Sequence, residues 1–280
     1  MKPADIAAAT PNKVAYVMAE TGDVVTYAEL EARANQAAHL FRSLGLKRGD
    51  HIALLLENHV SFFQICWAAQ RAGLYYTAIS WRLQQAEVEY IVNNCEAKVF
   101  ITSHARAGVV EPLVATTPLV EGRYMLDGVI DGFSSFEAAL ESFAETPIDD
   151  ECEGASMLYS SGTTGKPKGI FIPPATEIFD APGTLTGSLA PAFGFGPETT
   201  YLSPAPLYHA APLHYNLMVL DTGGTSIVME RFDPESALAL IEEHRVTHSQ
   251  WVPIMFVRML KLAQEVRARY DVSSMQIAIH

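Results

Sequence analysis

The side chains best suited to chemistry are concentrated in one short stretch, residues 160–169, which combines hydroxyl groups, glycines and two lysines. Glycine lets the backbone approach a ligand closely because it has no Cβ, and successive backbone N–H groups can then form an anion-binding nest. Lysine ammonium groups offset the charge of phosphate oxygens. The stretch is therefore predicted to bind polyphosphate through Ser160, Ser161, Gly162, Thr163, Thr164, Gly165, Lys166 and Lys168.

Two nucleotide-binding motifs of other protein classes do not fit this stretch. A P-loop NTPase requires glycine, four residues, and then Gly-Lys followed by Ser or Thr. Counting back from Gly165, the first position is Ser160, and Pro167 follows the lysine, so that position offers no hydroxyl for Mg²⁺. No GxGxxG sequence follows a first strand, which leaves a dinucleotide-binding fold without support. The remaining alternative is an exposed Gly/Ser/Thr hairpin that binds nothing.

Apolar runs and amphipathic segments alternate around the stretch, which predicts an α/β fold with parallel sheets covered by helices. Thr26 and Glu29 form a capping box ahead of one helix. Asn58 is predicted to cap a second helix and Asp233 a third. We predict further helices at 84–94 and 253–263, and strands at 14–18, 24–27, 51–56, 75–79, 98–102, 155–160, 169–172, 225–230, 247–251 and 275–279.

A polar and acidic segment at 146–153 separates two such series of elements. Polar linkers of this kind are typical of domain boundaries. We therefore expect a first α/β subdomain at 1–148 and a second at 149–280, which begins with the predicted polyphosphate loop.

The charge of the chain argues against nucleic acid as a partner. Its 19 Lys and Arg residues are outnumbered by 32 Asp and Glu residues, and the formal net charge at pH 7 is −13. Such a chain repels a phosphate backbone unless its basic residues are clustered, and the sequence has no basic stripe. The three cysteines, Cys66, Cys95 and Cys152, are far apart, which argues against a zinc site or a disulfide framework and favours free thiols in the cytoplasm.

Residues 199–220 lack Asp, Glu, Lys and Arg, so their composition alone suggests a membrane span. Pro204, Pro206 and Pro212 interrupt the segment, however, and a spanning helix does not tolerate that pattern. The segment is predicted to form a buried strand, a loop and a helix instead. The N-terminus also lacks the apolar core of a signal peptide, so we expect no transmembrane segment.

The sequence Leu-Tyr-Ser-Ser-Gly-Thr-Thr-Gly-Lys-Pro-Lys-Gly at 158–169 resembles the signature loop of the adenylate-forming superfamily, which includes the acyl-CoA synthetases. Segments at 25–30, 72–83 and 206–212 are similar to its fatty and aryl acyl-CoA synthetase branch. The resemblance implies a layered αβαβα fold and an acid–thiol ligase. Such an enzyme joins a small-molecule carboxylate to ATP, giving an acyl-adenylate and pyrophosphate, and coenzyme A then displaces AMP.

The resemblance also implies roles for individual residues. Thr164 and Lys166 are expected to act on the phosphates in catalysis, with Thr164 contacting the Mg²⁺ that bridges them. His209 is expected near the carboxylate and the thiol, with a loop histidine bonded to backbone groups as the alternative. Trp251 is a candidate for the substrate-binding acyl pocket, although core packing is the favoured interpretation. Amino-acid-activating relatives have a selector Asp near this histidine; Tyr208 stands beside it here, which favours another class of carboxylate.

Two departures from the family pattern affect these expectations. Pro173 and Pro174 stand where the family has a short apolar segment that leads to a Thr-His pair. Family members also continue past His280 into a C-terminal lid domain with a catalytic lysine, so a chain ending there is expected to bind ATP weakly and turn over poorly. The alternatives are a relative that does not use coenzyme A and a catalytically incomplete nucleotide- or acyl-binding fragment. The oligomeric state is open, with a homodimer as one alternative.

Overall fold

The structure, a computed structural model, describes residues 2–160, 167–173 and 184–280. The chain divides into two compact units. The first comprises Met1–Leu30, Asn58–Val60 and Pro182–His280, and the second comprises Glu31–Glu57 and Ser61–Ala181. Each unit is therefore assembled from segments that are distant in sequence.

Strands and helices alternate along much of the described chain. The strands are β1 Val14–Met18, β2 Val24–Thr26, β3 His51–Leu55, β4 Tyr75–Ile79, β5 Ala97–Ser103, β6 Gly122–Leu126, β7 Ser134–Ser135, β8 Ala155–Ser156, β9 Leu158–Ser160, β10 Lys168–Ile170, β11 Thr200–Ser203, β12 Thr225–Val228, β13 His248–Gln250 and β14 Ile277–Ile279. The α-helices are α1 Pro3–Ala9, α2 Tyr27–Ser43, α3 Phe62–Arg71, α4 Gln85–Asn94, α5 Ala107–Val110, α6 Leu113–Thr116, α7 Phe136–Leu140, α8 Thr184–Ala192, α9 Ala210–Asp221, α10 Pro234–Glu243, α11 Pro253–Leu260 and α12 Gln264–Arg267.

The first unit contains a sheet with the strand order β14-β13-β11-β12-β1-β2. Its neighbours are parallel except in the β1–β2 hairpin. Successive residues of β11 point to opposite faces of the sheet, as the pleat requires. Tyr201 packs in a cluster with Met218 of α9, whereas Leu202 packs in a cluster with Leu240 of α10. Helices therefore cover both faces of this sheet.

The second unit contains a parallel sheet with the order β7-β6-β5-β3-β4-β8. The run after His51 in β3 is apolar and buried throughout, which is typical of a strand covered on both faces. Ala53 and Leu55 share a buried cluster with Val88 and Ile91 of α4. The strands β9 and β10 form a separate antiparallel pair within the same unit.

The predicted α/β class with mainly parallel sheets is confirmed, and so are two of the three predicted helix starts. The backbone N–H of Thr26 donates to Glu29 Oε2 over 2.8 Å, and the N–H of Glu29 donates to Thr26 Oγ1 over 3.2 Å. Asp233 accepts a 2.9 Å hydrogen bond from the backbone N–H of Ser236, with Pro234 at the first helical position. These starts were predictable because each cap is formed by residues close in sequence.

The strand predictions need one correction in the region before the glycine-rich stretch. The expected single strand at 155–160 is two strands, β8 and β9, which pair with different partners. β8 joins the parallel sheet beside β4, while β9 pairs with β10. Met157 lies between them, and its N–H donates to the carbonyl of Tyr76 over 2.9 Å. The apolar run therefore contains a change of sheet that apolar periodicity does not reveal.

The prediction that Asn58 caps a helix is wrong. The next helix, α3, begins only at Phe62. Asn58 is buried, and its Nδ2 donates to the carbonyls of Met229 and Ala205 over 2.7 and 3.2 Å, while its Oδ1 accepts from the N–H of Leu207 over 2.8 Å. A side-chain amide can both donate and accept hydrogen bonds, so Asn58 satisfies buried carbonyl and N–H groups from distant parts of the chain.

The compact units also differ from the consecutive subdomains 1–148 and 149–280 expected from the acidic segment. The N-terminal hairpin belongs to the first unit because β1 pairs in parallel with β12, with Tyr16 opposite Ser226. Strand pairing between distant segments leaves no mark on local composition, so the boundary could not be located from it.

The segment 199–220 contains β11, a loop and α9, as predicted. Within the described ranges, no helix combines the length and the apolar character needed to cross a membrane.

Candidate functional site

The predicted polyphosphate loop emerges from the β9–β10 hairpin in the second unit. Ser160 lies opposite Lys168 in the antiparallel register, and both side chains are exposed. The hairpin thus brings the first and last predicted binding side chains of the stretch side by side. The predictions for Ser161, Gly162, Thr163, Thr164, Gly165 and Lys166 fall outside the described residues.

The strand that enters the stretch is anchored by Tyr159. Its hydroxyl donates a 2.6 Å hydrogen bond to Oδ1 of Asn94, the last residue of α4. The ring packs against the apolar cluster of the parallel sheet. Burial raises the pKa of the Tyr159 hydroxyl, so it remains protonated and able to donate at neutral pH.

Gly169, the last residue of the predicted loop, is required by close packing in the hairpin. A Cβ at this position would lie 2.5 Å from Met157 Cε and 3.1 Å from Tyr159 Cζ. Such approaches are shorter than normal carbon contacts. The glycine therefore lets β10 lie directly against the Tyr159 ring.

The strand that leaves the stretch is anchored by an aromatic contact. The Phe171 ring lies 4.7 Å from the ring of Tyr75 in β4, and the His51 ring stacks on Tyr75 at 5.0 Å. Aromatic pairs at these separations add to the stabilisation that burial provides. The two strands that flank the predicted phosphate loop are thus both attached to the parallel sheet.

In the first unit, the strand order predicts a ligand-binding position beside β11, which we call the crevice beside β11. The neighbouring strands β11 and β13 are followed by α9 and α11, and these helices pack in apolar clusters on opposite faces. Loops that diverge in this way leave a crevice at the carboxyl ends of the strands, where open α/β sheets bind their ligands. His209 follows β11 and Trp251 follows β13, so the topology brings these two predicted residues to the same edge.

His209 is exposed and stands immediately before α9 with an extended backbone. Its carbonyl accepts a 3.1 Å hydrogen bond from the N–H of Leu213, which starts the helix. The ring lies 4.4 Å from the ring of Tyr208. The expectation that His209 meets the carboxylate and the thiol stays a prediction.

Trp251 is 3% exposed and packs in a core cluster with Leu202 and Met255. Its ring contacts those of Phe232 and Phe256 at 6.3 and 5.8 Å. The geometry therefore gives the indole a role in the core, which the sequence favoured over pocket lining. Any contact with a ligand would be made by the small exposed part of the residue.

Burial changes the pKa values of several groups outside these sites, among them His214 and Cys95. Burial lowers the pKa of His214 within α9. Burial raises the pKa of the Cys95 thiol to about 11, so the thiol is protonated and unreactive at neutral pH. Across residues 2–160, 167–173 and 184–280, no three His, Cys, Asp or Glu side chains are grouped to hold a metal ion.

Sequence analysis missed the residues that fix the segment around the loop after β11, because most of their partners are backbone groups. Besides Asn58, the buried Asn216 of α9 donates to Ser203 Oγ over 2.8 Å and to the carbonyl of Pro212 over 2.7 Å. Its only sequence signal is that it is the one side-chain amide in a mainly apolar helix.

The sequence of this chain is similar to those of known proteins. The family described as AMP-binding enzyme matches residues 4–279. The long-chain-fatty-acid–CoA ligase FadD13 of Mycobacterium tuberculosis is 28% identical over 270 residues, which cover 94% of this chain and 51% of that protein. Feruloyl-CoA synthase of an Amycolatopsis species is 30% identical over 238 residues, which cover 84% of this chain and 45% of that protein.

A solved structure agrees with the sequence comparison. The crystal structure of ATP-bound MatB from Rhodopseudomonas palustris superposes with a TM-score of 0.76 at 26% identity, covering 99% of this chain and 54% of that one. The chain spans about half the length of the curated relatives it matches. Because the family match runs through both the glycine-rich hairpin and the crevice beside β11, the chain belongs to the AMP-binding enzyme family, and its curated relatives are acyl- and aryl-CoA ligases.

Proposed function

We propose that this chain supplies the ATP- and acyl-binding portion of an acid–thiol ligase that activates a fatty or aryl carboxylic acid as an acyl-adenylate and transfers the acyl group to coenzyme A. The observation that carries the proposal is the glycine-rich stretch held at the end of the β9–β10 hairpin in a chain of this family. The residues on both sides of the stretch are held in the second unit, by the Tyr159–Asn94 hydrogen bond and by the contact between Phe171 and Tyr75.

The nucleotide half of the proposal follows from charge. A carboxylate and the α-phosphate of ATP repel each other, so their reaction requires neutralisation and alignment of two anions. We assign this task to the backbone N–H groups of the stretch and to Thr163, Thr164 and Lys166, with Ser160 and Lys168 at its base. Lysine acts here as a point charge toward phosphate oxygens.

Mg²⁺ fits this site as a cation whose ligands are mainly oxygens of the nucleotide phosphates. The described residues offer no cluster of three acidic or imidazole ligands, and Mg²⁺ at ATP sites is usually held by phosphate oxygens, water and one or two protein oxygens. The Thr164 hydroxyl is the proposed protein contact. When bound, the ion adds positive charge beside the phosphates.

The acyl half is assigned to the crevice beside β11. His209 is exposed at its edge and is able to hydrogen-bond the reacting carboxylate or the incoming thiol of coenzyme A. Trp251 contributes apolar surface from the core below the neighbouring strand. Support for a fatty or aryl acid comes from the relatives named for long-chain fatty acids and for ferulate, and from the absence of Asp at positions 208 and 209.

The proposal is tested by titrating the chain with ATP and Mg²⁺ and following its thermal unfolding. A ligand that binds only the folded state stabilises it by about 2.7 kcal/mol at about 100 times its Kd. We expect the wild-type Tm to rise with ATP concentration and Lys166→Ala to need about tenfold more ATP for the same rise. Lys261→Ala removes one exposed positive charge elsewhere and serves as the matched control.

The acid class is tested separately by ATP–pyrophosphate exchange with a panel of fatty, aryl and amino acids. Because the chain spans about half the length of its curated relatives, we expect slow exchange with a fatty or aryl acid and none with an amino acid. An unchanged Tm for the wild type at millimolar ATP contradicts the nucleotide-binding proposal. If Lys261→Ala needs as much additional ATP as Lys166→Ala for the same rise in Tm, the assignment of ATP binding to the glycine-rich stretch is contradicted.

A further inference from the structure

The short loop between β11 and α9 is fixed by Asn58, a side chain from a distant part of the chain. Asn58 Nδ2 donates to the carbonyls of Ala205 and Met229, and its Oδ1 accepts from the N–H of Leu207. Both N–H groups and the carbonyl of the amide are therefore engaged with backbone. One side chain thereby joins the loop after β11 to the residue that follows β12.

Burial makes this arrangement specific for asparagine. Asn58 is 4% exposed, and Ala205 and Leu207 are buried as well, so water does not readily replace a lost partner. A buried backbone group left without a partner loses far more than an exposed one. Aspartate keeps the acceptor for Leu207 but turns two donors into acceptors that face carbonyl oxygens. Leucine has a similar size but neither donates nor accepts hydrogen bonds.

The hydrogen-bonded atoms lie directly before the residue proposed to meet the acyl group. Leu207, whose N–H is held by Asn58, is separated from His209 only by Tyr208, and the rings of Tyr208 and His209 lie 4.4 Å apart. The helix after the loop is tied to β11 independently, because Asn216 of α9 donates to Oγ of Ser203, the last residue of β11. Release of Leu207 would therefore move the Tyr208–His209 pair while β11 and α9 stay in place.

We propose that Asn58 is a positioning residue for the acyl half of the site. It holds Leu207 so that Tyr208 and His209 keep a fixed place at the crevice beside β11. This proposal rests on the proposed function. It predicts that loss of Asn58 weakens the binding of ligands that carry an acyl group and leaves the binding of ATP nearly unchanged.

The test compares Asn58→Asp and Asn58→Ala with the wild type in two measurements. The first is the Kd for ATP with Mg²⁺ and the Kd for a non-hydrolysable acyl-sulfamoyl adenosine. The second is hydrogen–deuterium exchange of the Leu207 amide. We expect exchange at Leu207 to accelerate about tenfold or more and the Kd of the acyl-bearing ligand to rise by a similar factor. The Kd of ATP should change less than about twofold.

Asn35→Asp is the matched control. Asn35 is also buried, and its Nδ2 donates to a backbone carbonyl, that of Glu145, over 2.7 Å, but both residues belong to the second unit. Asn35→Asp places a carboxylate at another buried amide position, where the present amide nitrogen lies 3.3 Å from Glu31 Oε1, and should leave the ratio of the two Kd values unchanged. The Asn58→Ala variant keeps the test decisive if a buried carboxylate prevents folding.

Each outcome decides between the two proposals. The positioning role is overturned if the Asn58 variants change the Kd values of ATP and of the acyl-bearing ligand equally. It is also overturned if Asn35→Asp weakens the acyl-bearing ligand more than ATP by the same factor. Unchanged exchange at Leu207 in both Asn58 variants also overturns it. Failure of the wild type to bind either ligand contradicts the proposed function, and exchange at Leu207 still decides whether Asn58 holds the loop.

Discussion

The hydroxyl of Tyr159 lies 2.6 Å from Oδ1 of Asn94, so the strand that enters the glycine-rich stretch is tied to the end of α4. On the exit side, the ring of Phe171 packs on that of Tyr75. The stretch therefore begins and ends at residues that the second unit holds. A phosphate-binding loop benefits from such a base, because preorganised donors lose less freedom when the ligand binds.

Removal of the Tyr159 hydroxyl should loosen this base without disturbing the core. We expect Tyr159→Phe to lower the free energy of unfolding by about 0.5–1 kcal/mol, since one hydrogen bond is lost and the ring remains packed. Urea unfolding of Tyr159→Phe, Asn94→Ala and the double variant forms a double-mutant cycle. If the two single effects simply add, the hydrogen bond contributes nothing and this prediction fails.

A methyl group at Gly169 should push the hairpin strands apart. Its Cβ would meet the Met157 methyl and the Tyr159 ring, and over-packing of this kind typically costs about 1–3 kcal/mol. The value should lie near the lower limit, because the methionine end can move. We expect Gly169→Ala to lower the free energy of unfolding and to weaken ATP binding.

Gly108→Ala provides the control for this substitution. Gly108 lies in α5, and a Cβ there has no neighbour within 4 Å. Alanine is the better helix former, so Gly108→Ala should be neutral or stabilising by up to about 1 kcal/mol. Chemical denaturation of both variants checks the comparison. Equal destabilisation by the two would refute the packing argument.

The sequence allowed prediction of those features that depend on neighbouring residues. The strands β1 and β4, the caps at Thr26 and Asp233 and the glycine-rich stretch all have local signals. The role of Asn58 had no such signal, because its partners are backbone atoms far along the chain. Which segments form each compact unit could not be predicted for the same reason, because β1 pairs with the distant strand β12.

Asp233 should make stability depend on pH in the acidic range. Hydrogen bonds from the backbone N–H of Ser236 hold the pKa of Asp233 below its usual value, so the folded state favours the charged carboxylate. The contribution is present above the unfolded pKa, about 3.9, and is lost as the pH falls through the lower folded pKa. Between pH 7 and 5 we expect Asp233→Ala to cost about 1 kcal/mol, as for other N-caps.

Urea unfolding from pH 7 to pH 3 follows this difference. The gap between wild type and Asp233→Ala should narrow below about pH 4, where the carboxylate becomes protonated. Asp233→Asn retains a capping oxygen without the charge, and its stability relative to Asp233→Ala should change little with pH. A wild-type advantage over Asp233→Ala that is the same at pH 3 and pH 7 would contradict the charge-based explanation.

The ion pair between Arg71 and Glu31 should be among the most sensitive positions of the second unit. Arg71 is 1% exposed, and its Nη1 and Nη2 donate to the two oxygens of Glu31 over 2.8 and 2.6 Å. Removal of Arg71 leaves the Glu31 carboxylate, which is only 15% exposed, without this partner, and breaking a buried pair typically costs about 3–5 kcal/mol. We expect Arg71→Ala to lose about this much in urea unfolding, and Arg71→Lys to lose part of it because an ammonium group does not form the paired bonds.

The exposed pair Arg245–Asp271, 3.1 Å apart, provides the comparison for this prediction. Its side chains are 64% and 50% exposed, so water screens the charges and Arg245→Ala should have little effect. The double variant Arg71→Met with Glu31→Leu removes both charges of this pair and should regain part of the stability lost in Arg71→Ala, because the carboxylate that remains, Glu151, lies 3.5 Å from Arg71 Nη1 and is 27% exposed. If Arg71→Ala proves no more harmful than Arg245→Ala, burial does not govern the effect, and Arg71 is instead solvated through local opening of α3.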